Sequence, residues 1–124
     1  MIVGIGLDLC NVERMKHACE KESFCRKVFT ERELAYAEGR ARRAESLAGI
    51  FAAKEAFAKA TGLGLSSIGL KRVEVVHGLS GRPELFIVAD CPLPESLRKA
   101  RFFLSISHDA GVAAAVVVIE TEGE

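Results

Sequence analysis

The chain has 124 residues, of which 49% are apolar, and 17 basic residues balance 17 acidic ones, so the formal net charge is zero. This length fits one domain, residues 1–124, and the apolar content excludes a disordered chain. A neutral chain has no global field that favours nucleic acid or an anionic membrane, and its apolar start is too short to span a bilayer. We therefore expect a cytoplasmic protein with no nucleic-acid or membrane partner.

The chain begins with a predicted strand. Residues 2–9 alternate with the period of a strand, which places Gly4, Gly6 and Asp8 on one face and four aliphatic side chains on the other. Because glycine has no side chain, we expect empty space beside the Asp8 carboxylate.

Helical signals follow the strand. Asn11 is a suitable N-cap for a helix over residues 12–20. Thr30 and Glu33 have the spacing of a capping box, which predicts a short helix that ends near Gly39.

The longest helical signal runs from residue 44 to residue 61, and Gly62 suits the position just after a helix end. Residues 63–69 are expected to form a loop. One face of the long helix carries four residues at helical spacing: Ala48, Ala52, Glu55 and Lys59.

The second half of the chain is rich in strand signals. Strands are predicted over residues 73–76, 85–88, 102–107 and 112–119, with a short helix after Pro92 and Pro94. The order of strand, helices, hairpin, short helix and hairpin predicts an α+β fold. We expect a largely antiparallel sheet with helices packed on one side.

The four cysteines show no paired C-x-x-C spacing, although metal sites and disulfide frameworks usually do. We therefore predict reduced thiols that pack as small apolar side chains. They are Cys10, Cys19, Cys25 and Cys91.

Asp8 and Glu55 are the carboxylates best suited to chemistry. Asp8 ends an apolar strand beside glycines, and Glu55 lies mid-helix among alanines that let a ligand approach. If they converge, they could hold Mg²⁺, which keeps several waters and is usually completed by substrate phosphates. Lys59, one helical turn further, could hold a phosphate as a point charge. The plainer alternatives are a solvated Asp8 and an ordinary surface ion pair between Glu55 and Lys59.

Other candidate residues are basic. His108 lies in a turn between two predicted strands, where it is either an anion-binding residue or a surface histidine. A Ser–His hydrolase is disfavoured, because there is no G-x-S-x-G motif and adjacent strand residues point in opposite directions. Arg40, Arg42 and Arg43 precede the long helix and are either solvated or phosphate-binding. The Gly62–Gly64 segment follows a helix, so it fits a helix end better than a phosphate loop.

These segments, in this order, make the chain similar to the holo-acyl-carrier-protein synthase family of 4′-phosphopantetheinyl transferases, over essentially its whole length. The most specific parts are the motif around Asp8 and the block from Phe51 to Ala60. The other matching segments are Arg14, Phe29-Thr30-Glu31, Leu47-Ala48-Gly49, Gly81-Arg82-Pro83 and Ser105-Ile106-Ser107-His108.

The resemblance implies a reaction used in fatty acid biosynthesis. A serine of apo acyl carrier protein attacks the β-phosphate of coenzyme A, and 3′,5′-ADP leaves. Asp8 and Glu55 are expected to bind Mg²⁺ and to act in catalysis together with Lys59, which is expected at the phosphates. His108 is expected near the phosphates of coenzyme A. The base that deprotonates the serine is either Glu55 or a metal-bound water.

The coenzyme A site implied by the resemblance also includes Pro83 and Arg42. The sequence departs from the family pattern at two positions. An arginine usually precedes the phenylalanine of the long-helix block, and here that position is Ile50, so Arg42 or Arg43 would have to supply the charge. A threonine is usual where this chain has Leu63.

The implied partner is acyl carrier protein, whose acidic helix is expected to dock on Arg14. The family also implies a homotrimer with active sites shared between neighbouring subunits. Two other hypotheses are a non-catalytic coenzyme A or nucleotide-binding module of the same fold and an oligomeric scaffold. The intact set of Asp8, Glu55, Lys59 and His108 argues against the binding module.

Overall fold

The computed structural model describes residues 1–122. Strand β1 (Ile2–Asn11) is followed by five helices: α1 (Val12–Ala18), α2 (Glu22–Val28), α3 (Glu31–Glu38), α4 (Arg43–Thr61) and α5 (Leu65–Ile68). After a 3₁₀ turn (Leu70–Arg72), the chain forms the hairpin β2 (Val73–His77) and β3 (Pro83–Ile87). A second 3₁₀ turn (Glu95–Leu97) leads to the hairpin β4 (Arg101–Asp109) and β5 (Val112–Glu120).

The main sheet has three antiparallel strands in the order β1-β5-β4, and β2 and β3 form a separate antiparallel pair. Strand β5 alternates strictly, and the side chains that it turns towards α4 are buried: Ala113, Ala115, Val117 and Ile119. The prediction of an α+β fold with helices on one side of a largely antiparallel sheet is therefore confirmed.

Helix α4 lies unusually close to β1 because of two glycines. A Cβ added at Gly6 would collide with the backbone carbonyl of Ala56, and one at Gly4 would collide with that of Ala60. The prediction of empty space beside Asp8 was therefore wrong. The absent side chains allow the backbones of strand and helix to meet, and the space is filled by α4 itself.

A buried ion pair ties α3 and α4 to the second sheet. Lys54 and Glu33 are fully buried, with 2.9 Å between Nζ and Oε1. The Lys54 ammonium also donates to the carbonyls of Leu70 and Val73, and Glu33 accepts from the amide of Val75. Burial lowers the pKa of Lys54, while Glu33 opposes that shift.

Several local predictions are confirmed. Thr30 and Glu33 form a complete capping box at the start of α3, and Gly39 ends that helix. Helix α4 has nearly the predicted length, and Gly62 caps it in the left-handed conformation with φ 78°.

Other local predictions were wrong. Helix α2 was not recognised, because its charged sequence has little apolar periodicity. Helix α5 occupies part of the expected loop, and the helix predicted after Pro94 is only one 3₁₀ turn. Each of these elements is three to seven residues long, so tertiary packing rather than local preference decides its conformation.

The cysteine prediction was also partly wrong. Cys19 at the end of α1 and Cys25 in α2 form a disulfide, with 5.2 Å between their Cα atoms. The turn between the two helices brings them together, and no C-x-x-C spacing is needed. Cys10 and Cys91 are free.

The face of the main sheet opposite the helices is apolar and exposed. On β1, Ile5, Leu7 and Leu9 are 67%, 60% and 65% exposed, and Phe103 of β4 is 37% exposed. Within residues 1–122, no helix combines the length and apolar character needed to cross a membrane.

Candidate active site

The close contact of β1 with α4 sets Asp8 beside Lys59. The Lys59 ammonium lies 2.9 Å from Asp8 Oδ1 and 3.1 Å from the carbonyl oxygen of Leu7. The Asp8 side chain is 17% exposed and that of Lys59 is 55% exposed. The hydrogen bond to Asp8, followed by the negative charge of Asp8, raises the pKa of Lys59.

Glu55 completes this group from the preceding turn of α4. It is half-buried, and burial raises its pKa above the ordinary value. The negative charge of Asp8 raises it further, and the positive charge of Lys59 partly lowers it. The two carboxylates therefore lie within electrostatic reach of each other. The structure brings together Asp8, Glu55 and Lys59, which we call the carboxylate group.

The donors of the carboxylate group fit a hard divalent cation. Mg²⁺ is commonly held by one or two carboxylates, with waters and substrate phosphates completing its shell. Among residues 1–122, no three His, Cys, Asp or Glu side chains are gathered as a ready-made metal cage. Two carboxylates on a half-exposed surface therefore fit a metal site whose remaining ligands come from substrate and water. They fit less well a site made only of protein ligands.

A second candidate site is a cleft of about 470 Å³ at the N-terminal end of α4. His108 lies on its rim, with Nδ1 3.4 Å from Glu45 Oε2. Arg42 lies on the same rim, and its guanidinium is 3.9 Å from the same Glu45 oxygen. Further lining residues are Tyr36, Arg40, Ile50, His77, Gly81 and Ile106.

One wall of the cleft is a flat aromatic stack. The rings of Tyr36 and His77 are 3.7 Å apart and parallel to within 2°. The Arg40 guanidinium lies 5.4 Å from the centroid of the Tyr36 ring. Burial, and secondarily the charge of Arg40, lowers the pKa of His77. The sequence prediction missed Tyr36 and His77, although Tyr36 and Arg40 have the i, i+4 spacing of neighbours on a helix.

The floor of the cleft is apolar at Ile50. Ile50 is 1% exposed and lines the cleft together with Ile106. Arg43 Nε is 2.6 Å from Glu38 Oε2, and its guanidinium contacts Cys25 Sγ, so it is committed outside the cleft. Of Arg42 and Arg43, it is Arg42 that lines the cleft, and its side chain is 79% exposed.

Two predicted residues lie outside both groups. Pro83 is the first residue of β3 and lines a separate groove with Arg82 and Phe102. Gly81, from the same Gly-Arg-Pro motif, lines the cleft. Arg14 is exposed in the first turn of α1. Its charge is felt by Cys10, whose pKa is raised by burial and by Asp8, so Arg14 is near the end of β1 that carries Asp8.

The carboxylate group and the cleft occupy different parts of α4. Glu45 in the cleft and Glu55 in the carboxylate group are ten residues apart on this helix. At 1.5 Å of rise per residue, this spacing corresponds to about 15 Å. Within one chain, the carboxylate group and the cleft are therefore two separate sites.

Comparisons with known proteins identify the family of the chain. The family model of the 4′-phosphopantetheinyl transferase superfamily matches residues 4–117. A holo-[acyl-carrier-protein] synthase of Clostridium perfringens is 38% identical over 98% of this chain and 96% of its own. One of Methylobacterium sp. strain 4-46 is 43% identical over 97% of this chain and 95% of its own.

Solved structures give the same result. A Bacillus anthracis holo-(acyl-carrier-protein) synthase in complex with CoA (3′,5′-ADP) matches with TM-score 0.82 and 34% identity over 98% of this chain and 99% of that one. A Helicobacter pylori synthase in complex with coenzyme A matches with TM-score 0.79 and 26% identity over 94% and 99%. The chain therefore belongs to the holo-[acyl-carrier-protein] synthase family of enzymes, within the 4′-phosphopantetheinyl transferase superfamily.

Proposed function

We propose that this enzyme transfers 4′-phosphopantetheine from coenzyme A to a serine of apo acyl carrier protein, in a Mg²⁺-dependent reaction of fatty acid biosynthesis. The observation that carries this proposal is the convergence of Asp8, Glu55 and Lys59, since it gives a member of this family two carboxylates and a cation on one surface. The serine oxygen forms a bond to the β-phosphorus, and the bond from that phosphorus to 3′,5′-ADP breaks.

The carboxylate group supplies the charges for this reaction. Asp8 and Glu55 would hold Mg²⁺, which when bound neutralises charge on the pyrophosphate. Lys59 contributes a flexible ammonium that can contact a phosphate oxygen. The serine proton must go to a base, which is either Glu55 or a metal-bound water.

The cleft suits the nucleotide end of coenzyme A. The stacked rings of Tyr36 and His77 and the apolar floor suit the base of a nucleotide. Arg42 provides positive charge for phosphates, and His108 provides a ring N–H that can donate to a phosphate oxygen. The Bacillus anthracis relative was solved in complex with CoA (3′,5′-ADP), which supports coenzyme A as the ligand of this enzyme. The part predicted for Pro83 stays a prediction, since Pro83 faces another groove.

A homotrimer with shared active sites would bring the carboxylate group and the cleft together. The exposed face of β1 and β4 carries several large apolar side chains, and an oligomer would bury them. It would also set the carboxylate group of one subunit against the cleft of the next, which a single chain separates by about 15 Å. We infer that each subunit is one domain, residues 1–124, and that the reaction takes place in the cytoplasm.

Arg14 is proposed to dock the carrier protein. It is exposed on α1 near the end of β1 that carries Asp8, where an acidic helix could reach it. We expect Arg14→Ala to raise KM for the carrier protein about 10-fold, with less sensitivity to salt, and to leave KM for coenzyme A unchanged. Arg26→Ala is the matched control, because Arg26 is paired with Glu22. A defect confined to coenzyme A would exclude the docking role.

Intact-mass analysis tests the function directly. Apo acyl carrier protein is incubated with the enzyme, coenzyme A and Mg²⁺, and a parallel reaction contains EDTA. A mass gain of one phosphopantetheine that requires the metal supports the proposal. Unchanged carrier mass with several carrier proteins, despite folded enzyme, would favour a non-catalytic coenzyme A-binding module. The apolar Ile50, at a position where the family usually has arginine, is the observation that keeps this second candidate open.

A further inference from the structure

Lys59 contacts the same carboxylate that a metal ion would use. Its ammonium lies 2.9 Å from Asp8 Oδ1, and the Leu7 carbonyl provides a second acceptor at 3.1 Å. The Asp8 side chain is 17% exposed, and among the described residues Lys59 is the cation that forms an ion pair with it. The negative charge of Asp8 is therefore balanced by a group of the chain itself.

A divalent cation on Asp8 and Glu55 would meet that positive charge at close range. At a partly exposed site, repulsion over a few ångströms is enough to change an affinity by one or two orders of magnitude, on the order of 10- to 100-fold. The ammonium is able to leave, because the Lys59 side chain is 55% exposed and has a flexible four-carbon stem. Water screens this ion pair on the Lys59 side, which weakens the attraction that holds the ammonium.

Not every lysine of α4 can withdraw its ammonium from its partners, and Lys54 is the contrasting case. Its ammonium is fully buried and is held by Glu33 and by two backbone carbonyls. Withdrawing it would leave several buried polar groups without partners. Lys59 has one carboxylate and one carbonyl at the protein surface, so water can replace both contacts when it moves.

We propose that Lys59 is a built-in counter-cation that opposes binding of the bare metal ion and releases Asp8 when the pyrophosphate of coenzyme A offers its ammonium another anion. This inference rests on the proposed function, because it assumes that Asp8 and Glu55 are the metal ligands. It makes Lys59 a positioning residue for metal binding in addition to a phosphate contact. The consequence is that metal and coenzyme A bind cooperatively, each strengthening the other.

The test measures binding of Mn²⁺ alone, from the electron paramagnetic resonance signal of the free ion, at low salt and without coenzyme A. We expect Lys59→Met to bind Mn²⁺ at least about 10-fold more tightly than the unmodified enzyme, because the opposing charge is gone. Lys99→Met is the control, since Lys99 is also exposed but lies near Val3 at the other end of β1. It should leave the Mn²⁺ affinity unchanged.

A second measurement repeats the titration with coenzyme A present. In the unmodified enzyme, coenzyme A should tighten Mn²⁺ binding strongly, and in Lys59→Met this coupling should shrink. A residue that only holds a phosphate would leave the affinity for Mn²⁺ alone unchanged. Equal or weaker binding of Mn²⁺ alone by Lys59→Met would therefore overturn the inference.

Failure of the proposed function has a different signature. If Lys59→Met gains Mn²⁺ affinity and the added change Glu55→Gln abolishes it, the counter-cation role stands, even if the mass assay finds no transfer. If Glu55→Gln has no effect on Mn²⁺ binding by Lys59→Met, the ion binds elsewhere and the counter-cation role is wrong. The mass assay then decides the transferase function independently.

Discussion

Lys54 and Lys59 lie on the same helix, five residues apart, and form ion pairs of opposite kinds. Lys54 is sealed between Glu33 and two carbonyls with no exposure, whereas Lys59 is 55% exposed and pairs with Asp8 at the edge of a candidate active site. A buried pair with all its hydrogen bonds satisfied holds the fold in one arrangement. A half-exposed pair can open, which a site that must bind a metal and a phosphate requires.

The largest effect should come from breaking the buried pair. Lys54→Met keeps the length of the side chain but leaves Glu33 buried without its cation, which we expect to cost about 3–5 kcal/mol in the free energy of unfolding. Urea unfolding measures the change. Lys71→Met, at an exposed lysine in the adjoining 3₁₀ turn, should stay within about 0.5 kcal/mol of the unmodified protein. A similarly small loss for Lys54→Met would contradict the structural role.

A change in the half-exposed carboxylate group should lower the transfer rate and leave the stability nearly unchanged. Glu55→Gln keeps the shape of the side chain but removes a metal-binding charge, so we expect the transfer rate to fall at least about 100-fold. The rate is measured by mass analysis of the carrier protein at saturating coenzyme A. Glu84→Gln, on the exposed side of β3, is the control. Unchanged activity in Glu55→Gln would refute the metal assignment.

Arg42 and Arg43, at the start of α4, provide a second comparison of a functional with a structural charge. Arg42→Ala should raise KM for coenzyme A about 10-fold with little change in kcat, because it removes a charge from the rim of the cleft. Arg43→Ala should leave that KM unchanged and cost at most about 1 kcal/mol of stability, since Arg43 is paired with Glu38. The reverse pattern would show that Arg43 supplies the charge missing at Ile50.

The smallest expected effect concerns stability and pH. Because the folded-state pKa of Glu55 is raised, its ionised form destabilises the folded protein, and this penalty is absent below the ordinary value of 4.5. It develops as the pH rises through the raised pKa. Glu55→Gln should therefore be slightly more stable at neutral pH, by at most about 0.5 kcal/mol after solvent screening, and should lose this advantage in acid. Thermal unfolding across pH checks the sign, and a net loss of stability at neutral pH would contradict it.

The local part of the fold could be predicted because its signals lie close together in sequence. The capping box of Thr30 and Glu33, the long helix and its Gly62 cap all depend on contacts within one or two turns. Helices α2 and α5 could not be predicted, since short helices depend on what packs against them. The disulfide between Cys19 and Cys25 was missed for the same reason, because a turn of the chain brings the sulfur atoms together.

The sequence by itself determined the family and the α+β order of elements, and it selected Asp8 and Glu55 as candidate carboxylates, because motif residues and periodicity are local properties. Only the tertiary structure decided that Gly4 and Gly6 let β1 contact α4, which sets Asp8 beside Lys59. It also decided that Arg42 rather than Arg43 faces the cleft, and that Tyr36 stacks on His77. Most of these contacts are between residues about forty or more positions apart in the sequence. Such contacts, and the choice of ion-pair partner by each arginine, are fixed only when the core packs.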